Sequence, residues 1–316
     1  MRILITGGAG FIGSHVVDLL IQKGYSVAIV DNLSTGKKRN INPRARFYKL
    51  DIKSPKLKEV FKKEKPKAVF HFAAQISVRK STHDPIADAK ENILGSLNVL
   101  ENCVKHKVKK IIFTSTGGAM YGDAKVIPTP ETYPTRPVSP YGVAKLTVEH
   151  YLHYYHKIYG LSYVALRLAN VYGPRQDPFG EAGVVAIFTN ALLIGKRPII
   201  YGTGKQTRDF VFVGDVAEAV SKALHRKTDG IFNIGTGRET SVQELFSALK
   251  KITASKQEVR RGPDRLGEQE RSCLECGEAE NVLGWNPQNP LEQGLRETVD
   301  FMRIQSSSMR RESLQK

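Results

Sequence analysis

Only three cysteines occur in 316 residues, at Cys103, Cys273 and Cys276. An odd, sparse set of this kind excludes a disulfide framework and suits a reducing compartment. Cys273 and Cys276 form a CxxC pair with no further cysteine or histidine at ligand spacing, so no metal is assigned. No apolar run approaches the roughly 20 residues that a membrane helix needs. The first residues also lack the basic, apolar and small-residue regions of a secretory signal. No membrane partner is expected, and the reading places the chain in the cytoplasm. Acidic residues are the other shortage: 31 Asp and Glu stand against 48 Lys and Arg, a formal charge of +17. Such an excess attracts anions without choosing among them. It is scattered over short clusters such as 37–39, 62–65 and 105–110, which read as solvated helix ends and loops, so a nucleic-acid partner is not expected.

What is present is an ordinary globular composition, 41% hydrophobic and 25% charged, in a chain long enough for a sizeable core. Short β-branched runs at 3–6, 27–30, 47–50, 68–72 and 111–114 alternate with amphipathic stretches, the pattern of parallel strands joined by helices. Asp84-Pro85 and Ser139-Pro140 each place a capping residue before a proline, which predicts helices from there to about 106 and about 160. The fold class expected is α/β, a doubly wound parallel sheet of Rossmann type with a smaller mixed α/β substrate-binding domain. The first domain is assigned to 1–169 and a substrate-binding region, interleaved with it, to 170–304. The polar stretch 305–316 is read as a frayed tail.

Between the first strand and first helix, Gly7, Gly10 and Gly13 give the spacing GxxGxxG. Glycines there let the turn tighten, the backbone approach a pyrophosphate and the helix pack closely, while the helix N-terminus offers free N–H groups to the anion. The second strand ends at Asp31, whose carboxylate suits two ribose hydroxyls and would repel a 2′-phosphate, pointing to NAD over NADP. Asp51 follows the third strand, where it either reaches the adenine amino group or caps a helix.

Tyr141 and Lys145 form YxxxK at the start of a predicted helix, so both side chains share one face. A phenol with a pKa of about 10 is no base at neutrality, but a neighbouring ammonium and a nicotinamide cation favour the phenolate, as proton abstraction from a sugar hydroxyl requires. Twenty-five residues before Tyr141, Thr114-Ser115-Thr116 ends a strand at the edge where doubly wound folds place their sites. His71, at the end of another strand, reads as a satisfied near-core histidine, and Trp285 as a packing anchor before the last helix.

In these motifs the chain resembles the NAD-dependent nucleotide-sugar epimerases of the extended short-chain dehydrogenase/reductase superfamily, above all the UDP-glucose 4-epimerases. The likeness runs from Thr6 to about Arg303 and rests on the glycine cluster, Asp31-Asn32, Asp51-Ile52, His71 to Gln75, Thr116 and the Tyr141/Lys145 pair. It implies Tyr141 as acid/base, Lys145 as its activator and a ligand of the nicotinamide ribose, and Thr116 as the hydroxyl that orients the sugar; Ser115 is the alternative, with spacing favouring Thr116. Around NAD it implies Phe11, Ile12, Asn32, Ile52, Phe72, Ala73, Ala74, Asn92 and Thr114. For a UDP-sugar it implies Asn170 at the sugar or its phosphate, Val185 near the uracil, and Arg208, Arg265 and Glu268 at the diphosphate and ribose. It implies a homodimer through helices near 83–107 and 140–159, the alternative being that these helices only cover the sheet.

Related dehydratases and decarboxylases carry an additional acid beside the reacting hydroxyl, where this sequence has Gly117-Gly118. That favours reversible hydride removal and return, interconverting UDP-glucose and UDP-galactose through a 4-keto sugar. Ser272 falls where strict glucose/galactose enzymes carry a bulky aromatic residue, so UDP-N-acetylhexosamines are expected to fit. The alternatives are an epimerase of UDP-glucuronate or UDP-GlcNAc, or a decarboxylase or dehydratase. A different class, a non-catalytic dinucleotide- and nucleic-acid-binding protein, has no chemical use for a phenol beside an ammonium.

Overall fold

The computed structural model describes residues 1–179, 183–264 and 269–314. Its first half alternates strand and helix: β1 (Arg2–Thr6), α1 (Phe11–Gln22), β2 (Ser26–Asp31), β3 (Arg46–Lys49), α2 (Leu57–Glu64) and β4 (Ala68–His71). Short helices α3 (Val78–His83) and α4 (Pro85–Ala89) lead through a π-turn, Lys90–Leu94, into α5 (Gly95–Lys105), then β5 (Lys110–Thr116), α6 (Pro140–Tyr159) and β6 (Ser162–Leu168). Both predicted caps form: Asp84 accepts from the Ala87 N–H at 2.9 Å, and Ser139 from the Gly142 N–H at 3.1 Å. Helix α6 ends on Gly160 at φ +68°, a left-handed position that glycine takes without steric cost.

Beyond β6 come β7 (Asn170–Tyr172), α7 (Val184–Leu193), β8 (Ile199–Tyr201), β9 (Thr207–Arg208), β10 (Phe210–Phe212), α8 (Val213–His225), β11 (Gly230–Ile234), β12 (Thr240–Ser241) and α9 (Val242–Thr253). The last elements are β13 (Arg260–Gly262), β14 (Arg271–Ser272) and α10 (Leu291–Leu314). Helix α10 runs through the segment whose composition predicts a frayed tail; no glycine or proline interrupts the chain after Gly294.

One seven-stranded sheet has the order β11-β6-β5-β4-β1-β2-β3 with every pairing parallel. The period of two decides its two faces: Ile3 and Ile5 enter one core with α1 and α8, while Leu4 enters the opposite core with α2, α5 and α6. Strand β11 and helix α8 come from beyond residue 170, so the second half of the chain completes the sheet as well as building a separate core from α7, α9 and α10.

Trp285 is 1% exposed in the core that joins α1 to α8, and its indole N–H donates to Asp215 O at 2.9 Å. Trp285→Ala opens a large cavity and strands that carbonyl, so it is expected to cost about 3–5 kcal/mol of stability in denaturant unfolding. A loss below about 1 kcal/mol would show that the site collapses around the gap.

Candidate active site

All seven parallel strands deliver their C-terminal ends to one edge. The order reverses between β1 and β4, and such a switch point leaves a crevice outside the strand ends. The glycines shape it in different ways. Gly7 has φ +72°, and a Cβ there would stand 2.6 Å from the Ala73 nitrogen at the end of β4. A Cβ on Gly13 would collide with Gly7 O, so the helix packs on the turn only without a side chain. At Gly10 the nearest atom to a Cβ is Gly7 O at 3.2 Å, and no other neighbour fills the space. Gly10 also begins α1 without a side-chain cap. A helix N-terminus with uncapped N–H groups, entered over a bare glycine, fits a dinucleotide pyrophosphate.

Asp31, 7% exposed, accepts from the Ala9 N–H at 3.0 Å and the Leu33 N–H at 2.8 Å. A Cβ on Gly36 would lie 2.7 Å from its carboxylate, so that glycine keeps the acid uncovered. Asn32 donates to Asp51 at 3.0 Å. Asp51 does not cap α2, which has no side-chain cap; its other oxygen takes the Lys53 N–H at 2.8 Å. Phe11, Ile12 and Phe72 are half-buried against the cores, and Ala73 and Ala74 line the turn after β4. Ile52 is 6% exposed, its side chain in the core against Gly95, and its carbonyl accepts from Asn98.

The turn after β4 hangs on a chain of buried hydrogen bonds with one polarity. Ser96 Oγ donates to Asn92 O at 2.5 Å and therefore accepts from His71 Nε2 at 2.9 Å. His71 Nδ1 then accepts from Thr6 Oγ1 at 2.6 Å, and Thr6 Oγ1 accepts the Ala73 N–H at 3.3 Å. His71 is 1% exposed, and burial with the nearby Lys145 charge pushes its pKa down to about 3, so the ring is neutral. Asn92, 3% exposed, clamps Gln75 by accepting its N–H and donating to its carbonyl, both at 2.9 Å. Thr114 donates to His71 O at 3.2 Å. Both residues shape the crevice from behind.

Lys145 is 3% exposed; its Nζ donates to Thr114 O at 2.9 Å and lies 5.8 Å from the centre of the Tyr141 ring. Burial pulls its pKa down to about 8 against the opposing pull of Asp88 and Glu149. Burial and Asp88 together push the Tyr141 phenol up, so the ammonium alone does not make a phenolate. Strand alternation separates the two candidate hydroxyls. Ser115, 4% exposed, donates to Glu149 at 2.6 Å, whereas Thr116 is half-exposed at the strand end and accepts the Ala119 N–H at 3.2 Å. A Cβ on Gly117 would strike Leu274 at 2.5 Å, while one on Gly118 would meet only Asn170 Oδ1, at 3.9 Å. Asn170 thus stands across Gly118 from the end of β5.

Arg208 and Ser272 are register partners in the small sheet of β9, β12 and β14, and Arg208 Nη1 donates to Thr207 O at 2.7 Å. Val185, expected near the uracil, is 1% exposed in the core of α7, α9 and α10. The β-branched residue is recruited by the apolar face of its helix. Arg265 and Glu268 lie outside the described residues.

Sequence reasoning missed Asp209, Asp88 and Glu149. Asp209, 1% exposed, gathers Thr236, Gly237 and Leu274 N–H groups around the strand that carries Arg208. Asp88, 2% exposed, takes amide donors from Gln75 and Asn92 on one oxygen, and its other oxygen is buried without a partner. Glu149 had a signal, four residues after Lys145; an aspartate on a short helix had none. All three cysteines are free, and no metal-binding cluster occurs among the described residues.

Residues 3–235 match the NAD dependent epimerase/dehydratase family. The chain is 51% identical, with a TM-score of 0.95, to the crystal structure of UDP-glucose 4-epimerase with UDP-glucose from Thermotoga maritima, covering 96% of this chain and 99% of that one. It is 44% identical, with a TM-score of 0.92, to a Thermus thermophilus UDP-glucose 4-epimerase in complex with NAD, over 96% and 99% of the two chains. A UDP-glucose 4-epimerase of Mycolicibacterium smegmatis is 44% identical over 97% of this chain and its own full length.

The neutral, buried His71 makes a pH prediction. The unfolded chain takes a proton here near pH 6.5 and the folded one near pH 3, so between these values folding excludes a proton and stability falls as pH falls. Denaturant unfolding at pH 7, 6 and 5 is expected to show wild type losing up to about 1.4 kcal/mol per pH unit more than His71→Gln. Equal slopes would show that folding leaves the titration of His71 unchanged.

Proposed function

The chain belongs to the NAD dependent epimerase/dehydratase family, and we propose that within it the protein is a UDP-glucose 4-epimerase, interconverting UDP-glucose and UDP-galactose with bound NAD. The reading is supported by Lys145, which bonds Thr114 O near the end of β5 and lies 5.8 Å from the Tyr141 ring, with Thr116 ending the same strand and Gly117 and Gly118 in place of an acid. At Gly117 a side chain would have to displace the Leu274 methyls, 2.5 Å from a Cβ there. A site without that carboxylate has poor means to expel water or steer loss of carbon dioxide, which separates it from dehydratases and decarboxylases.

Bound NAD supplies the acceptor and later donor of the C4 hydride, and its ring charge opposes the burial that keeps Tyr141 protonated. Tyr141 takes the proton of the sugar 4-hydroxyl as the C4–H bond breaks, then returns it to the same oxygen after the 4-keto sugar has turned over. Lys145 spends one N–H on Thr114 O and keeps two for the cofactor ribose and the phenol. Thr116 orients the reacting oxygen. Asp31, Asn32 and Asp51 hold the adenosine end, and Asn170, Arg208, Arg265 and Glu268 hold the UDP moiety. Arg208 and Arg265 are read as the diphosphate clamp.

Ser272 beside Arg208 leaves the sugar end open to an N-acetyl group. A homodimer is supported by the exposed apolar side chains of Ile86, Leu94, Val143, Ile158 and Tyr159 on α4 to α6 and the π-turn. The three free thiols support a cytoplasmic setting.

Purified protein given UDP-glucose alone is expected to produce UDP-galactose, and turnover that demands continuous external NADH would overturn the reading. Tyr141→Phe is expected to lower kcat by about 10²–10⁴ while UDP still binds. Ser272→Tyr is expected to abolish turnover of UDP-GlcNAc and spare UDP-glucose; undiminished UDP-GlcNAc activity would count against the open sugar end.

A further inference from the structure

Glu149 follows Tyr141 by eight residues and Lys145 by four, so one stripe of α6 carries phenol, ammonium and carboxylate toward the sheet. Its side chain is 2% exposed and that of Arg167, on β6, 5% exposed. The guanidinium grips the carboxylate fork to fork, Nε to Oε1 at 3.0 Å and Nη2 to Oε2 at 2.7 Å. Its remaining nitrogen, Nη1, donates to the Tyr121 hydroxyl at 2.9 Å, which donates in turn to Asn233 on β11 at 2.9 Å. Oε1 of Glu149 also accepts from the Ser115 hydroxyl at 2.6 Å.

Three elements therefore meet at one carboxylate: the helix bearing Tyr141 and Lys145, the strand ending in Thr116, and β6. Ser115 and Thr116 are neighbours on β5, and successive side chains of a strand point opposite ways. Fixing Ser115 inward on Glu149 fixes the direction in which Thr116 leaves the strand. A buried ion pair adds little net stability relative to apolar packing of the same volume, so its presence is better explained by the geometry it enforces.

We infer that Glu149, locked by Arg167 and bonded to Ser115, is a positioning residue that sets the Thr116 and Tyr141 hydroxyls at the separation the sugar 4-hydroxyl requires. The inference rests on the epimerase reading. Neither Glu149 nor Ser115 touches substrate; both act through the side chains they align, and a displacement of about 1 Å at a reacting group is enough to cost on the order of 100-fold in rate.

Ser115→Ala removes a single hydrogen bond and leaves the ion pair intact, so the variant should fold. Arg167→Lys keeps the charge and loses the fork. Both are to be measured with wild type for kcat and KM toward UDP-glucose, pH–rate profile and melting temperature. The expected result is a kcat lowered about tenfold or more in each, a KM within about twofold of wild type, and a pH–rate profile lowered without displacement. A fold-only role would lower the melting temperature of Ser115→Ala and leave kcat unchanged below it, and that outcome overturns the inference. If Arg167→Lys does not fold, Ser115→Ala decides alone. Active wild type with equally active variants sinks the positioning role only, whereas wild type that turns over no UDP-sugar sinks the epimerase reading and this inference with it.

Discussion

The crevice between β1 and β4 is the constraint on which the site depends. Strand β1 pairs with β2 on one side and β4 on the other, so the chain leaves the two central strands in opposite directions. The gap stays narrow because Gly7 lies against the Ala73 backbone, closer than any Cβ allows. It stays open because Gly10 and Gly36 put nothing over the helix N-terminus and the Asp31 carboxylate. Every later feature, from Asp51 at one end to Thr116 and Tyr141 at the other, is reached from that gap along the same sheet edge.

Around it the protein manages charge by burial more than by surface pairing. Lys145 is enclosed, its ammonium 4.6 Å from the centre of the Phe113 ring and 5.8 Å from that of Tyr141. Asp88 and Glu149 supply opposing charge, and neighbouring His71 answers by remaining neutral. Burial and Asp88 push the Tyr141 phenol toward its protonated form.

The second half of the chain is bound into this arrangement twice. It closes the sheet through β11 and α8, and it carries the small β9–β12–β14 sheet that sets Arg208 beside Ser272. Asp209 ties those two contributions together, since its carboxylate holds the turn after β11 and the backbone just past Ser272. The close fit to the Thermotoga and Thermus structures over nearly the whole chain extends to this half.

By itself the sequence determined whatever local geometry sets within one element: the strand and helix alternation, the caps at Asp84 and Ser139, the glycine turn, the Asp31 strand end and the Tyr141/Lys145 helix face. These depend on residues a few positions apart, where period and spacing are readable. Tertiary structure buried Ser115 against Glu149 and left Thr116 half-exposed, drew Ile52 and Val185 into the cores, and extended α10 through Leu314. It also brought together partners that no spacing announces: Ser115 with Glu149, Glu149 with Arg167, Asp209 with Thr236 and Leu274. Each of those pairs spans 18 to 65 residues of chain. Their meeting depends on the order of strands in the sheet, which follows from the packing of the whole chain and not from any segment of it.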